Sequence, residues 1–227
     1  MGGIDSIDRV STHRATRMTR DARRHQVLAV ALDLFARDGF HHVSMDDIAE
    51  RAEVSKPVLY RHFPSKLDLY LAVVDHRGEA LVAAVDEALA GVGARPLAAG
   101  QAVVEAVAEA LVRAYVRFVA DSGDSFALLF ESDVTHDDVV RERVEHASRE
   151  VAGALRRGLV ETTALSEDEA DLVATVLLSM ATATATWTYR SDAVPVEVAI
   201  ELISTLVWGG VSGLARARPS AGEPGAP

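Results

Sequence analysis

The chain has 227 residues, contains no cysteine and carries a formal net charge of −11 at neutral pH. Without cysteine, neither a disulfide framework nor a thiolate metal site can form. The charge is uneven, because residues 1–66 carry eleven Lys/Arg against nine Asp/Glu, whereas residues 67–227 carry twelve against twenty-five. An acidic chain whose basic residues are gathered in one segment can still bind a nucleic acid.

Residues 1–18 are predicted to be a flexible basic arm. They contain no apolar run, so we expect no secretory signal in them. Few acids oppose the arginines of the arm and of the helix that follows, which are Arg9, Arg14, Arg17, Arg20, Arg23 and Arg24. Two interpretations stay open: a solvated, disordered arm, or an arm that contacts DNA phosphates or enters the minor groove.

Residues 19–64 are predicted to form a three-helix domain. Apolar residues at helical spacing predict the first helix, which we expect to end at Gly39 in a left-handed conformation. These apolar residues are Val27, Leu28, Ala31, Leu34 and Phe35. Ser44 is expected to cap a second, short helix, because an acid stands three residues later as in a capping box. A tight turn at Glu53 then leads to a third helix, which gives a helix-turn-helix.

The third helix has the composition of a DNA-reading helix. Ser55 suits its cap and Pro57 its first turn. Leu59 and Phe63 lie one turn apart and can face a core, which leaves basic and aromatic side chains for the major groove. The predicted DNA-binding residues are Ser44, Ser55, Lys56, Pro57, Val58, Tyr60, Arg61, His62 and Lys66.

Three segments resemble, in order and spacing, the DNA-binding domain of the TetR family of transcriptional regulators: 34–40, 44–49 and 54–66. The resemblance implies a regulator that binds double-stranded DNA as a homodimer, at an inverted-repeat operator. Glu53 departs from the family pattern, because glycine is frequent at this position of the turn. If the turn needs a positive φ, glutamate costs on the order of 1 kcal/mol there.

Residues 65–214 are predicted to be a helical ligand-binding and dimerisation domain. No segment shows the alternation of a strand, so the chain is predicted to be all-α. Helices are predicted at 65–89, 97–120, 125–131, 136–162, 166–189 and 195–214. Residues 215–227, rich in Pro, Gly and Ala, are predicted to form a disordered tail.

The last two helices are predicted to form a dimer interface, with Ala183 and Leu206 between the subunits. Their apolar surface exceeds what a monomer exposes, and a two-fold axis would complete a four-helix bundle. Residues 172–189 carry no charge, but six of them are Ser or Thr. We therefore expect a bundle helix rather than a membrane span, and a cytoplasmic protein.

Large apolar residues in the middle helices predict a pocket for a small apolar effector. The predicted lining residues are Tyr115, Phe118, Phe126, Leu129, Phe130, Met180 and Trp187. An ordinary core needs the same residue types, so both interpretations stay open.

A closer resemblance extends into the second domain. The segments 20–24, 55–60, 65–73, 128–133 and 207–210 are similar to the actinobacterial FasR-type regulators of fatty acid synthesis. This resemblance implies activation of fatty acid synthase genes and a long-chain acyl-CoA as the effector. The alternative is a TetR-type repressor of an efflux or detoxification gene that a lipophilic drug releases.

The histidines do not form a catalytic or metal-binding pattern. His41 and His42 are adjacent and point in different directions, and the pair His136 and His146 lacks a second ligand set at i+4 spacing. The sequence also lacks a glycine-rich phosphate loop and a nucleophile elbow. We expect neither an enzyme nor a cofactor. A helical adaptor that binds only protein is a further alternative, against which the outward side chains of the third helix argue.

Overall fold

The computed structural model describes residues 19–93, 101–123 and 137–217. These residues form eight α-helices and no strand, which confirms the all-α prediction. The helices are α1 (Arg20–Asp38), α2 (Met45–Arg51), α3 (Lys56–His62), α4 (Lys66–Gly93), α5 (Gln101–Ser122), α6 (Asp138–Thr162), α7 (Glu167–Arg190) and α8 (Val196–Ala217).

Local capping signals set where several helices begin. The Ser44 Oγ accepts from the Asp47 amide at 3.1 Å, and the Asp47 carboxylate accepts from the Ser44 amide at 2.8 Å. Ser166 and Glu169 form the same reciprocal pair before α7. The capping box predicted at Ser44 is confirmed. Ser55 occupies the N-cap position of α3, but its side chain makes no capping hydrogen bond, so the predicted cap is wrong in this respect.

Two turns of the N-terminal domain each contain a residue with positive φ. Gly39 ends α1 with φ 79° and ψ 158°, so it is not in the left-handed helical conformation that we expected. This region of backbone space is open essentially to glycine alone. Glu53 has φ 51° and is the one non-glycine residue with positive φ in the described segments. The turn between α2 and α3 therefore does need a positive φ at residue 53, and glutamate carries the conformational strain that the sequence analysis attached to this case.

The hydrophobic core of the DNA-binding domain continues into the second domain. Phe35, Ile48, Leu59 and Phe63 are buried in one cluster. The same cluster includes residues of α4 and one of α6, namely Leu69, Tyr70, Val73, Val74 and Val140. The hydrophobic core of the DNA-binding domain thus does not end where α3 ends. It extends into α4 as far as Val74, and the second core begins at Leu81 of the same helix.

The second core is a helical bundle centred on α5. This helix packs against α4, α7 and α8, while α6 packs against α4 and α7. Leu111, Leu155, Leu159 and Leu177 are among its buried side chains.

Some helix ends differ from their predicted positions. Helix α4 continues to Gly93 instead of residue 89, and α8 continues to Ala217, so residues 215–217 are helical rather than part of a disordered tail. Pro195 immediately precedes α8 instead of occupying its first position. The predicted arm at 1–18, the short helix at 125–131 and the tail from residue 218 lie outside the described residues.

Helices α7 and α8 expose large apolar side chains that the bundle does not cover. Leu172, Val176 and Trp187 protrude from α7, and Leu202 and Leu206 from α8. Helix α7 is long and apolar enough to span a membrane, with a mean hydropathy of 1.3 over its best window, and 33% of that window is buried. Its buried residues pack into the bundle beside α5 and α6, as a core helix does.

Candidate nucleic-acid interface and effector cavity

Helix α3 presents a polar and aromatic outer surface above a buried inner side. Leu59 and the adjacent Phe63 are buried, whereas Lys56, Pro57 and Arg61 are exposed. Tyr60 leaves 46% of its surface in solvent. A short helix that is anchored by two apolar residues and exposes such side chains has the form of a helix that enters the major groove.

A cluster of four arginines surrounds the end of α3. Burial and then the charges of Arg20, Arg61, Arg24 and Arg23 lower the pKa of His62. No carboxylate lies within 4.0 Å of these four guanidinium groups in the described part of the chain. An uncompensated positive surface attracts the phosphates of DNA. Three of these arginines belong to the basic segment for which the sequence leaves two interpretations open, and contact with DNA beside the third helix is one of the two.

The N-terminus of α1 is held against the helix-turn-helix. The Gln26 amide donates to the Ala52 carbonyl at 3.1 Å, and the Arg24 guanidinium lies 4.5 Å from the centre of the Phe63 ring. Between α1 and α3 runs a groove of about 430 Å³, which includes Val58 in its wall. The start of α1 and the recognition helix therefore form one continuous surface.

Two predicted DNA-binding residues already have partners on the protein. The Lys56 ammonium lies 2.7 Å from an Asp46 carboxylate oxygen, and this hydrogen bond raises the pKa of Lys56. Both side chains are exposed, so the pair is screened by solvent and a phosphate can displace it. The Ser44 hydroxyl is exposed but is occupied in the capping box with Asp47.

Lys66 has a structural role that the sequence did not reveal. Its ammonium donates to the carbonyls of Phe40 at 2.8 Å and Val43 at 3.0 Å. It also lies 4.3 Å from the centre of the Phe40 ring. Lys66 is therefore turned toward the loop between α1 and α2, which it ties to the start of α4, and its predicted phosphate contact needs correction.

A cavity of about 590 Å³ lies between α4 and α5. Its walls combine charged side chains with small ones, and the small ones recur about every four residues, so they occupy the same face of each helix. They are Ala84, Ala88 and Gly91 on α4 and Ala106, Ala110 and Ala114 on α5. Where the two rows of small residues face each other, the helices leave a trough. Arg77, Phe118 and Ser122 line one end of it.

Of the predicted ligand-binding residues in the described segments, Phe118 alone lines this cavity. Tyr115 is buried in the bundle and hydrogen-bonded to Thr182 of α7, and burial raises its pKa to about 12. Met180 packs against the same core. Trp187 is 46% exposed on α7, on the side that carries Leu172, so it belongs to the uncovered apolar face. Phe126, Leu129 and Phe130 lie outside the described residues.

A helix-turn-helix joined to a helical bundle with a trough between two of its helices is the architecture of a DNA-binding transcriptional regulator. Residues 27–73 match the profile of the bacterial regulatory proteins of the tetR family. The chain is 32% identical to the HTH-type transcriptional activator FasR of Mycolicibacterium smegmatis over 200 aligned residues. The alignment covers 88% of this chain and 87% of FasR. The chain belongs to the TetR family of transcriptional regulators.

Solved structures agree with this assignment. A TetR-like transcriptional regulator from Rhodococcus sp. RHA1 aligns with a TM-score of 0.59 and 26% identity, over 87% of this chain and all of the other. The fatty acid degradation regulator FadR from Bacillus halodurans aligns with a TM-score of 0.61 over 83% of this chain and 95% of its own. At 16% identity, the second comparison shows a shared fold.

Proposed function

We propose that the protein is a dimeric regulator of fatty acid synthesis genes that leaves its operator when a long-chain acyl-CoA binds. One observation carries the proposal: α4 lines the α4–α5 cavity from Arg77 in its middle to Val92 in its last turn, while its first turns belong to the core of the DNA-binding domain. A ligand that changes the position of α4 thereby changes the position of the helix-turn-helix. The similarity to an activator named FasR supports the gene class.

The proposed DNA contacts follow from the exposed surface of α3. Lys56, Tyr60 and Arg61 contact phosphates or base edges, and Pro57 and Val58 meet a thymine methyl group. Ser44, Ser55 and His62 lie at the edges of the same surface and contact phosphates. The basic arm, continuing from Arg20, adds phosphate or minor-groove contacts.

The proposed dimer forms through the uncovered apolar face of α7 and α8. A two-fold axis there covers side chains such as Leu202 and Leu206 and builds a four-helix interface. It also presents two recognition helices to half-sites about 34–36 Å apart, which requires an operator with inverted-repeat symmetry. Such a protein acts in the cytoplasm, where its operator is.

The volume of the cavity suits a small ligand, since ligand sites commonly measure about 300–1,000 Å³. Each buried CH₂ contributes roughly 0.8 kcal/mol, which corresponds to about a fourfold gain in affinity. An acyl chain in the trough therefore binds more tightly as it lengthens, until the space is filled. If the ligand binds the DNA-incompetent form more tightly, it shifts the population away from the operator.

The DNA-binding part is tested first. Duplexes that the full-length protein retains are selected from a random-sequence pool, and affinity is measured by fluorescence anisotropy over a range of salt concentrations. Tyr60→Ala and Arg61→Ala are expected to weaken binding and, for Arg61, to reduce the salt dependence. Arg156→Ala, which removes an exposed arginine paired with Glu167 far along the chain, is the matched control. Wild-type binding by both α3 variants would contradict the assignment of this surface.

The ligand part is tested on the selected complex. Acyl-CoAs from short to long are added, and the concentration that releases half of the DNA is expected to fall about fourfold per added CH₂ until it levels off. If no acyl-CoA releases the DNA but a lipophilic aromatic drug does, the protein is a repressor of the efflux or detoxification type instead.

A further inference from the structure

We infer that Arg77 is the anion-binding residue of the α4–α5 cavity, so that the effector carries a carboxylate or phosphate group at one end of its apolar chain. The inference rests on the proposed function, because it assigns the chemistry of the ligand in the same cavity. It assigns charge recognition in this site to an arginine that the sequence pattern does not single out.

The geometry of Arg77 is the first observation. Its guanidinium lies 4.5 Å from the centre of the Phe118 ring, and one Nη donates to the Ser122 hydroxyl. Its Nε is buried and has no hydrogen-bond partner in the described part of the chain. The stacking ring and the serine fix the guanidinium plane at the end of the cavity, while one N–H remains unsatisfied.

The charges around the cavity are the second observation. Three arginines line it, and two of them are already paired: Arg113 with Glu109 at 2.9 Å, and Arg117 with Glu197 at 2.9 Å. Arg77 forms no ion pair with any described residue. Burial lowers the pKa of Arg77, and no carboxylate of the described residues offsets that loss of hydration. Among the three arginines of this cavity, Arg77 is thus the one whose positive charge no described carboxylate compensates.

The remaining acids of the wall do not fill this role. Glu87 and Asp121 both line the cavity, but their side chains are exposed to solvent. Neither lies within ion-pair distance of the Arg77 guanidinium in the described structure. A ligand anion at Arg77 therefore displaces no carboxylate of the described residues.

The chemistry of the ligand follows from this arrangement. A planar guanidinium offers N–H groups along one edge that match the oxygens of a carboxylate or a phosphate. The alanine rows beyond it add an apolar strip to the wall, between the charged side chains that also line the trough. The complementary molecule is an amphiphile with an anionic head at Arg77 and an aliphatic chain between α4 and α5. Free fatty acids and acyl-CoAs both contain these parts, with a carboxylate in one and phosphates in the other.

A purely structural role for Arg77 predicts different behaviour. If the side chain only packs on Phe118 and bonds to Ser122, replacing it affects folding, and it affects every ligand of the cavity to the same degree. If it binds an anion, replacing it weakens the binding of charged ligands and leaves the affinity for uncharged ligands of equal length unchanged.

The test measures binding to the full-length protein by calorimetry, using a long-chain fatty acid, the acyl-CoA of the same chain and the corresponding fatty alcohol. Arg77→Met removes the charge and keeps an unbranched side chain, and Arg77→Lys keeps the charge without the planar edge. Arg156→Met is the matched control, because Arg156 lies outside this cavity and is paired with Glu167. Circular dichroism establishes that each variant is folded.

For Arg77→Met, we expect a loss of about tenfold or more for the anionic ligand and an unchanged affinity for the alcohol. Arg77→Lys is expected to lie between that variant and the wild type, and Arg156→Met to match the wild type. A loss confined to the fatty acid identifies a free carboxylate as the anion, and a loss confined to the acyl-CoA identifies a phosphate.

Equal losses for charged and uncharged ligands, or no loss at all, would overturn the role of Arg77 while leaving an apolar effector site in place. If the wild type binds none of the three compounds, the proposed lipid ligand itself fails. The two failures are therefore distinguishable.

Discussion

The strained turn of the helix-turn-helix offers a prediction whose size follows from the backbone. Glu53 has φ 51°, and its amide donates to the Glu50 carbonyl at 3.0 Å. A left-handed conformation costs an L-residue about 1–2 kcal/mol, while glycine loses about 0.5–1 kcal/mol of extra chain entropy on folding. Glu53→Gly is therefore expected to stabilise the protein by roughly 0.5–1 kcal/mol.

A second substitution separates strain from charge. Glu53 is exposed and lies in the wall of the groove between α1 and α3, together with Arg20 and Arg23. Its carboxylate therefore repels DNA phosphates next to the recognition helix. Glu53→Gln removes this charge and keeps the strain, whereas Glu53→Gly removes both. We expect both variants to bind DNA more tightly than the wild type, and only the glycine variant to be more stable.

The assays are thermal unfolding and fluorescence anisotropy with a selected duplex. For a domain of 150–250 residues, each 1 kcal/mol shifts the Tm by about 2–4 °C, so the glycine variant should unfold roughly 1–4 °C higher than the glutamine variant. Equal Tm values for the two variants would refute the reasoning from φ. A glutamine variant that binds DNA no better than the wild type would refute the reasoning from charge.

Three further predictions concern assembly, pH and the α1–α2 loop. Leu206→Glu should dissociate the dimer, because Leu206 is 61% exposed on the apolar face. The control Val160→Glu on α6 should leave the dimer intact, and sedimentation velocity measures the oligomeric state of both variants. The pKa of His62 is lowered from 6.5 in the folded protein, so the unfolded chain binds the proton more readily and stability falls as the pH drops below 6.5. His62→Gln should give a shallower dependence of Tm on pH in that range, and an unchanged slope would contradict this. Lys66→Met leaves the Phe40 and Val43 carbonyls without their charged donor, which should destabilise the protein by about 1–3 kcal/mol in urea unfolding; no change would contradict the structural role.

The starts of helices were predictable because their signals are local. Ser44 with Asp47 and Ser166 with Glu169 each place a hydroxyl and a carboxylate within one turn, and no distant residue is needed. Helix ends depended on packing that the sequence does not display. Helix α4 passes through Gly91 because its last turns pack against α5, which outweighs the low helix propensity of glycine.

The cavity was harder to predict because it consists of small residues. Alanines such as Ala110 and Ala114 indicate a cavity only because α4 and α5 face each other, and the sequence alone does not show that pairing. Large aromatic residues were a poor guide: Tyr115 fills the core, and Trp187 lies on the outer face. Arg77 carried no signal in the sequence, since only its placement beside Phe118, and its lack of an acidic partner among the described residues, distinguish it from a surface arginine.

The continuation of the N-terminal core into α4 decides where this protein can be divided and rejoined. A hybrid regulator cut at residue 64 would lose the buried side chains of Leu69, Tyr70, Val73 and Val74 from its operator-reading half. A junction placed after Val74 keeps them, but the incoming effector half must still supply an apolar residue where Val140 stands. Exchange of sensing modules between such regulators is therefore constrained by a seam within one helix rather than by a loop.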